Sequence, residues 1–442
     1  SQWAARKPHM SPTNEMNKKL SNLFKGDKVI WMVFFFLCII SIVEVFSASS
    51  ELTYKGGNYL TPIIKHMALI VVGFGLMVVT LNINCKYFKL LTPIMLLFAG
   101  ILLLLVLGLG QSTNGASRWI PIMGVQFQPS EMAKGALVLM TAQILSAMQT
   151  DKGADRKAMR YIIQMALPFL VLIGLENLST AALLAAVIFF MMIIGRVPGK
   201  QIGKLVLTVV LLIVMVVTAV MAIGEDTEKE GQPQNLTEQT LANGQTVSTE
   251  NSKGHKGVLH RLDTWKSRID KFLNSKEVPP EKVDLDKGAQ EAHAKIAIAT
   301  SNIVGRGPGN SVQRDFLAQA FSDFIYAIII EETGIEGAFV VAMLYIILLF
   351  RTGRIANRCE NNYPAFLAMG LALLLVVQAL FNMCVAVGLV PVTGQPLPLI
   401  SKGGTSTIVN CVYIGIILSV SRTAKKVKDD TTNKRTVATA TA

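Results

Sequence analysis

The chain has 442 residues, 51% of them apolar and 16% charged, with a net charge of +13 and a mean hydropathy of +0.47. That balance excludes a soluble globular domain and reads as an all-α, polytopic membrane protein. The positive charge is a topology signal, with attraction to anionic membrane lipids added, and no nucleic-acid binding is read from it.

Stretches of roughly 17 to 25 largely apolar residues mark membrane spans. They fall near 29–49, 63–82, 90–108, 131–149, 161–175, 179–195, 203–223, 335–351, 364–388 and 405–421. Ten spans put both termini on one side. The tail 1–28, the loops near 83–89, 150–160, 196–204 and 351–361, and the tail 422–442 hold most of the lysines and arginines. The short loops on the other side hold only Lys55, Arg118 and Lys402. Positive residues in short loops stay cytoplasmic, so both tails are expected inside. The chain divides into a cytoplasmic tail 1–28, spans one to seven within 29–223, a large outer segment with its re-entry at 224–333, spans eight to ten within 334–421, and a cytoplasmic tail 422–442. The polar first 28 residues show no small-residue cleavage site, and no signal peptide is expected. Cys38, Cys85, Cys359, Cys384 and Cys411 lie in spans or inner loops, where no disulfide is expected, and no Cys/His metal spacing occurs.

In the first span Glu44 is an ionisable group at membrane depth, which faces protein or water and not lipid. His66, at the outer start of the second span, reads as interfacial. Spans three and four are joined by G-A-S-R-W-I at 115–120 and F-Q-P-S-E-M-A-K at 127–134. Gly115 and Gly124 allow tight turns, and Trp119 suits the membrane interface. Pro129 or Ser130 begins a helix, with Glu131 at its positive end. Glu131 and Lys134 share one helix face beside Arg118, a cluster able to hold pyrophosphate.

These two runs resemble the signature of the SEDS family, the membrane proteins of shape, elongation, division and sporulation that polymerise peptidoglycan. The same family is recognised in D-F-I-Y-A-I-I-I-E-E-T-G-I-E-G at 323–337 and T-G-Q-P-L-P-L-I-S-K-G-G-T-S at 393–406. The three motifs are separated and in the family's order. Leu175–Ala181 resembles a family turn that usually has an aspartate where Asn177 stands. Lys200 and Lys204 read as retention charges.

The outer segment has two parts. Residues 224–257 are polar and cannot form a core. Asn243-Gly244 there suits a hairpin turn, and Asn235-Leu-Thr fits a glycosylation pattern without meaning in the bacterium the family implies. In the second part Trp265 and Phe272 suit a helix on the membrane surface. Gly305, Gly307, Gly309 and Asn310 read as a flexible link. Residues 309–313, G-N-S-V-Q, resemble the division branch of the family more than the elongation branch. Asp323, Glu331 and Glu332 border or enter the bilayer and so require cationic partners or water; Arg118, Lys134 and Lys402 are the candidates. Pro396 and Pro398 then break the chain, Gly403-Gly404 frees the backbone, and Ser401 and Lys402 face the outer cavity.

The resemblance implies a glycosyltransferase that joins lipid II into glycan strands. An acceptor hydroxyl displaces undecaprenyl pyrophosphate at the donor's anomeric carbon, with inversion. A positioned carboxylate serves as base, and positive charge stabilises the leaving group. The family's catalytic aspartate, anchored here on Gly288 and Lys295, falls within one residue of Asp284, with Asp286 as the alternative. The proline and paired glycines usual in that loop are absent. Arg261, Arg268 and Lys295 are phosphate candidates. Arg118, Gln128, Glu131, Lys134, Asp323, Glu332, Ser401 and Lys402 complete the expected substrate site. A divalent cation (Mg2+ or Mn2+) is implied by the leaving group, with no identified ligands and no organic cofactor. The implied partners are a class B penicillin-binding protein, the crosslinking transpeptidase, and other division proteins at the septum of the inner membrane. Two rivals remain, a lipid II flippase, which needs a polar path through the inner half, and a non-enzymatic division scaffold, which tolerates loss of both aspartates.

Overall fold

The structure, a computed structural model, describes residues 24–49, 60–109, 111–113, 116–122, 125–223, 285–317 and 322–440. The hairpin and glycosylation patterns, the Trp265–Phe272 pair, the turn glycines Gly115 and Gly124, and Arg261, Arg268 and Asp284 lie outside those residues. Among them are eleven helices: α1 (Lys28–Ser49), α2 (Leu60–Asn82), α3 (Cys85–Leu109), α4 (Pro129–Ala147), α5 (Arg156–Glu176), α6 (Leu178–Ile194), α7 (Gly199–Ile223), α8 (Leu285–Thr300), α9 (Ile325–Ala356), α10 (Asn362–Ala386) and α11 (Thr405–Ala440). The ten expected spans coincide with α1–α7 and α9–α11. By length and composition α1, α2, α3, α5, α9, α10 and α11 can each cross a membrane, and α6 is apolar but shorter. Short strands add to this all-helical plan: β1 (Gln111–Thr113), β2 (Ala116–Ile122) and β3 (Val125–Phe127) form an antiparallel meander, and β4 (Gln149–Thr150) pairs with β5 (Gly153–Ala154).

The chain forms two units, residues 1–202 with 284–442, and residues 203–283, of which only 203–223 in α7 are described. In the larger unit α10 is central and packs on α4, α6, α9 and α11. Leu90, Leu97 and Phe98 on α3 and Phe339 and Phe350 on α9 are exposed, as lipid-facing side chains are. Among its apolar side chains the interior also holds Glu131, Lys134, Gln378, Asn382, Glu331 and Glu332. Small residues bring α2 and α11 together: a Cβ at Gly415 would stand 1.9 Å from Thr80 Oγ1, and one at Gly73 2.8 Å from Cys411 Sγ.

Local signals set the helix ends. Asp155 caps α5 by accepting from Lys157 N (2.8 Å), and Asn177 caps α6 by accepting from Ser179 N (3.1 Å) and Thr180 N (3.3 Å). The asparagine thus does the capping an aspartate would do. Pro129 opens α4 at a position where a missing N–H costs nothing.

The largest departure from the sequence reading is in α9. The span expected to start at 335 continues an earlier half-helix, Ile325–Thr333, broken at Gly334 (φ 72°, ψ −169°). The apolar run before the break conceals it, because hydropathy carries no dihedral information. Every residue from Ile325 to Glu332 is buried.

Candidate functional site

Two buried polar clusters carry the motif residues. The first is built around residues 393–404, a non-helical segment between α10 and α11. Backbone without a helix or sheet inside a membrane protein must find partners elsewhere, and here side chains supply them. Asn382 Nδ2 donates to Gln395 O (2.7 Å), Gln378 Nε2 to Pro396 O (3.0 Å), the Tyr345 hydroxyl to Pro398 O, and Ser41 Oγ to Ile400 O (2.7 Å). Ser401 Oγ accepts from Leu397 N (2.8 Å) and donates to Ser322 O (2.6 Å). Four carbonyls of the segment are thus held by side chains from α10, α9 and α1.

The first turn of α4 joins this cluster. Lys134 Nζ lies 2.8 Å from both Glu131 Oε1 and Gln378 Oε1, and Lys134 is fully buried. Tyr413 OH donates to Glu131 O (2.6 Å), tying α11 to α4. Gln128 is buried, its Nε2 donating to Ser130 Oγ (3.0 Å) and its N–H reaching Thr405 Oγ1 at 3.4 Å. Asp323 enters through its carbonyl, which accepts from Asn382 Nδ2 (2.9 Å), while its carboxylate accepts from Ser322 Oγ (3.0 Å). Gln128, Glu131, Lys134, Asp323 and Ser401 therefore belong to one network. Lys402 is half-buried, and burial, then the nearby Lys65 charge, holds its ammonium below the ordinary lysine pKa. His66, expected at the interface, is buried, with Nε2 2.8 Å from Ser41 Oγ.

The second cluster surrounds the break in α9. Arg306 N and Gly307 N donate to the Glu331 and Glu332 carbonyls (3.0 and 2.8 Å), in the turn where a helix end leaves carbonyls free. The carboxylates take more of the same segment. Glu331 accepts from Ser311 Oγ (2.5 Å), Val312 N (3.1 Å) and Gln313 N (3.3 Å), with Arg306 Nε at 3.8 Å. Glu332 accepts from Gly309 N (3.0 Å) and Ser47 Oγ. Arg314 Nη1 donates to Ser47 O (3.1 Å) and Gly309 O (2.8 Å). Residues 305–314 are thus a bonded turn, not the flexible link expected. Its Gly305, Gly307 and Gly309 all have positive φ. A Cβ at Gly305 would stand 2.4 Å from Gly334 N, so these two backbones cross in contact. Among the described residues, Arg306 is a cation placed near Glu331. Glu44 on α1 is also buried, its Oε2 without a hydrogen-bond partner among the described residues.

Lys295 and Asp286 stand on α8. The Lys295 Cε end lies 3.1 Å from where a Cβ on Gly388 would be. Arg118 stands on β2 and Asp286 in the first turn of α8. The sequence reading missed Gln378, Asn382, Tyr345, Tyr413, Ser41 and Arg314. Gln378 and Asn382, one helical turn apart in an otherwise apolar run, carried a usable signal, since polar pairs at that spacing share a face inside a membrane.

With this geometry in place, the comparisons bear on what it serves. A cell cycle protein family model, FTSW_RODA_SPOVE, matches residues 27–228 and 256–426. Probable peptidoglycan glycosyltransferase FtsW of Trichlorobacter lovleyi is 30% identical over 421 residues, covering 92% of this chain and 96% of the relative. The protein of the same name from Geobacter metallireducens is 29% identical over 412 residues, covering 92% and 97%. A solved chain described as "Structural coordination of polymerization and crosslinking by a peptidoglycan synthase complex" superposes with a TM-score of 0.67 at 22% identity, covering 91% of this chain and 99% of that one. Thermus thermophilus rod shape determining protein RodA superposes with a TM-score of 0.59 at 20% identity, covering 91% and 98%. At those identities the two structures speak for the fold alone.

Proposed function

Because the chain belongs to the cell cycle protein family of FtsW, RodA and SpoVE, we propose that it is a peptidoglycan glycosyltransferase of the membrane that polymerises lipid II during septal wall synthesis. The observation that carries this reading is the family match over residues 27–228 and 256–426, with Glu131, Lys134, Asp323, Glu331, Glu332 and Ser401 from its motifs gathered into polar clusters of one unit. The relatives named as glycosyltransferases share this chain over nearly their whole length. Both tails are cytoplasmic on this reading, and the 224–333 segment faces the lipid-linked substrate on the outer side.

The chemistry is a displacement at the donor's anomeric carbon. Asp284, or Asp286 two residues on, takes the proton of the acceptor hydroxyl, whose oxygen forms the new glycosidic bond with inversion. Undecaprenyl pyrophosphate leaves with the electron pair. Arg261, Arg268, Lys295, Lys402 and Arg118 are the cations for that leaving group. A buried ion pair such as Lys134 with Glu131 organises the site and does not itself react. A divalent cation would offset pyrophosphate charge, but among the described residues no group of three His, Cys, Asp or Glu side chains is placed to hold one, and no step is assigned to it. A class B penicillin-binding protein would crosslink the product.

The test is polymerisation of purified lipid II by the full chain, alone and with its transpeptidase partner, for wild type, Asp284→Ala and Asp286→Ala. Loss of a general base lowers turnover about 10²–10⁴-fold. Strands lost only in Asp284→Ala support the assignment, and loss only in Asp286→Ala moves the base by two residues. If neither substitution changes strand formation, the base lies elsewhere. If wild type makes no strands while lipid II crosses vesicles in its presence, the protein is a flippase.

A further inference from the structure

The face expected to be cytoplasmic carries a cationic surface that the outer chemistry does not use. Lys152, Arg156, Lys157, Arg160, Arg196 and Lys200 are all exposed and belong to the larger unit. Retention on the inner side requires only that positive residues stay on that side; here backbone bonds also fix where they stand. The β4–β5 hairpin leads into α5, and its Ala154 N–H donates to Arg196 O (3.2 Å) in the α6–α7 loop. Gln201 Nε2, in the first turn of α7, donates to Arg156 O (3.0 Å) at the start of α5. The same loops contain two acids, Asp151 and Asp155, and the second is occupied in capping α5.

Arg196 stands in a costly conformation. Its φ of 54° lies just past the end of α6, at a left-handed position where glycine is usual. The adjacent glycine, Gly195, serves packing, since a Cβ there would stand 2.7 Å from Leu145 Cδ2. Beyond the cations α5 turns apolar. Lys157, Tyr161 and Met165 follow at i, i+4 and i+8, so they share one face, and all three are exposed. Arg156 and Arg160 form a second pair at that spacing, about 6 Å apart. The helix is long and apolar enough to cross a membrane. A charged head, an interfacial tyrosine and an apolar side chain in that order match an amphiphile, which an acidic protein surface does not.

We propose that the start of α5 and the α6–α7 loop form a binding site for an anionic phospholipid, its phosphodiester held by Arg156, Arg160 and Arg196 and its acyl chain lying along Tyr161 and Met165. Arginine suits a phosphate because its planar fork offers parallel N–H donors. The site does not depend on the glycosyltransferase reading; it requires only that α5 crosses the membrane.

The experiment titrates the purified full chain in detergent with dioleoylphosphatidylglycerol, counts bound lipid by native mass spectrometry, and follows each variant's unfolding midpoint. Dioleoylphosphatidylcholine, with the same tails and no net charge, should bind at least about 10-fold more weakly. A basic residue beside an anionic headgroup contributes about fivefold in affinity, so Arg156→Gln/Arg160→Gln should weaken phosphatidylglycerol binding about 30-fold. The equally exposed Arg354→Gln/Arg358→Gln pair, at the end of α9, should change it less than about twofold, since distant charges are screened. Equal losses in the two double variants, or none in Arg156→Gln/Arg160→Gln, overturn the site. Arg196→Gly is expected to weaken lipid binding about fivefold while leaving the unfolding midpoint unchanged or higher, because glycine relieves the backbone. If Arg156→Gln/Arg160→Gln fails to fold, Arg196→Gly carries the decision, and full lipid binding by it overturns the proposal. Tyr161→Ala should also weaken lipid binding, and glycerol phosphate should compete poorly. Equal competition by glycerol phosphate with no effect of Tyr161→Ala would make this a free-phosphate site and overturn the lipid. A hexaglutamate peptide that binds wild type and not Arg156→Gln/Arg160→Gln, with lipid binding unchanged, would overturn it in favour of an acidic protein partner.

Discussion

Glu131 and Glu331 are both buried carboxylates near a helix end, and the chain accommodates them in opposite ways. Glu131 faces a cation, Lys134, on its own helix, which shares its ammonium with Gln378 on α10; Glu131 Oε2 finds no hydrogen-bond partner among the described residues. Glu331 takes a hydroxyl and two backbone amides from one turn, and the Arg306 guanidinium stands farther off at 3.8 Å. The ammonium neutralises charge and joins helix to helix. The amides saturate lone pairs and join a loop to a helix. A buried acid thus does different structural work according to whether its partner is a charge or a backbone.

Three substitutions would break or sharpen that contrast. The largest effect is expected for Lys134→Met, which leaves Glu131 buried without its cation. Removing one member of a buried pair costs about 3–5 kcal/mol, measured as a fall in unfolding midpoint of the purified protein. Lys134→Met combined with Glu131→Gln should recover most of it, and no recovery would mean that Lys134 matters for packing more than for charge. Next comes Gly334→Ala. The left-handed φ alone costs about 1–3 kcal/mol, and the new Cβ would stand 2.1 Å from Ile303 O. Exchange should quicken in 302–314 and stay unchanged at the Glu131–Lys134 pair; loosening at both places would show that the two clusters are one cooperative unit. The smallest effect belongs to Arg351→Lys. Arg351 holds Asp27 bidentately, Nε at 3.0 and 2.8 Å and Nη2 at 2.7 Å, but at a partly exposed site. A shift of about 0.2–1 kcal/mol is expected there. A loss as large as that of Lys134→Met would mean that burial is not what separates these acids.

The ten long helices could be read from the sequence because span length and apolarity are imposed by the bilayer, and the polar segment stood out by the same measure. The motif acids and Lys134 could also be found, since an ionisable residue inside a span is costly. Their partners could not. Asn382, Gln378 and Tyr345 serve carbonyls of residues 395, 396 and 398, and nothing local in the chain says which side chain will reach a broken segment from another helix. The break at Gly334 was hidden inside an apolar run, and the glycines at 305–309 looked like slack because composition does not reveal whose carbonyls their amides will meet. Asn177 shows the reverse case: a departure from the family's aspartate that leaves the helix cap intact.

The crossing of Gly305 and Gly334 also bears on the order in which the protein is made. Residues 305–314 precede Glu331 and Glu332 in the chain, so they are synthesised first. The half-helix Ile325–Thr333 carries two carboxylates and terminal carbonyls into an apolar interior, and every donor it needs from residues 306–313 has by then already left the ribosome. The membrane thus receives an acidic segment together with the loop that satisfies it.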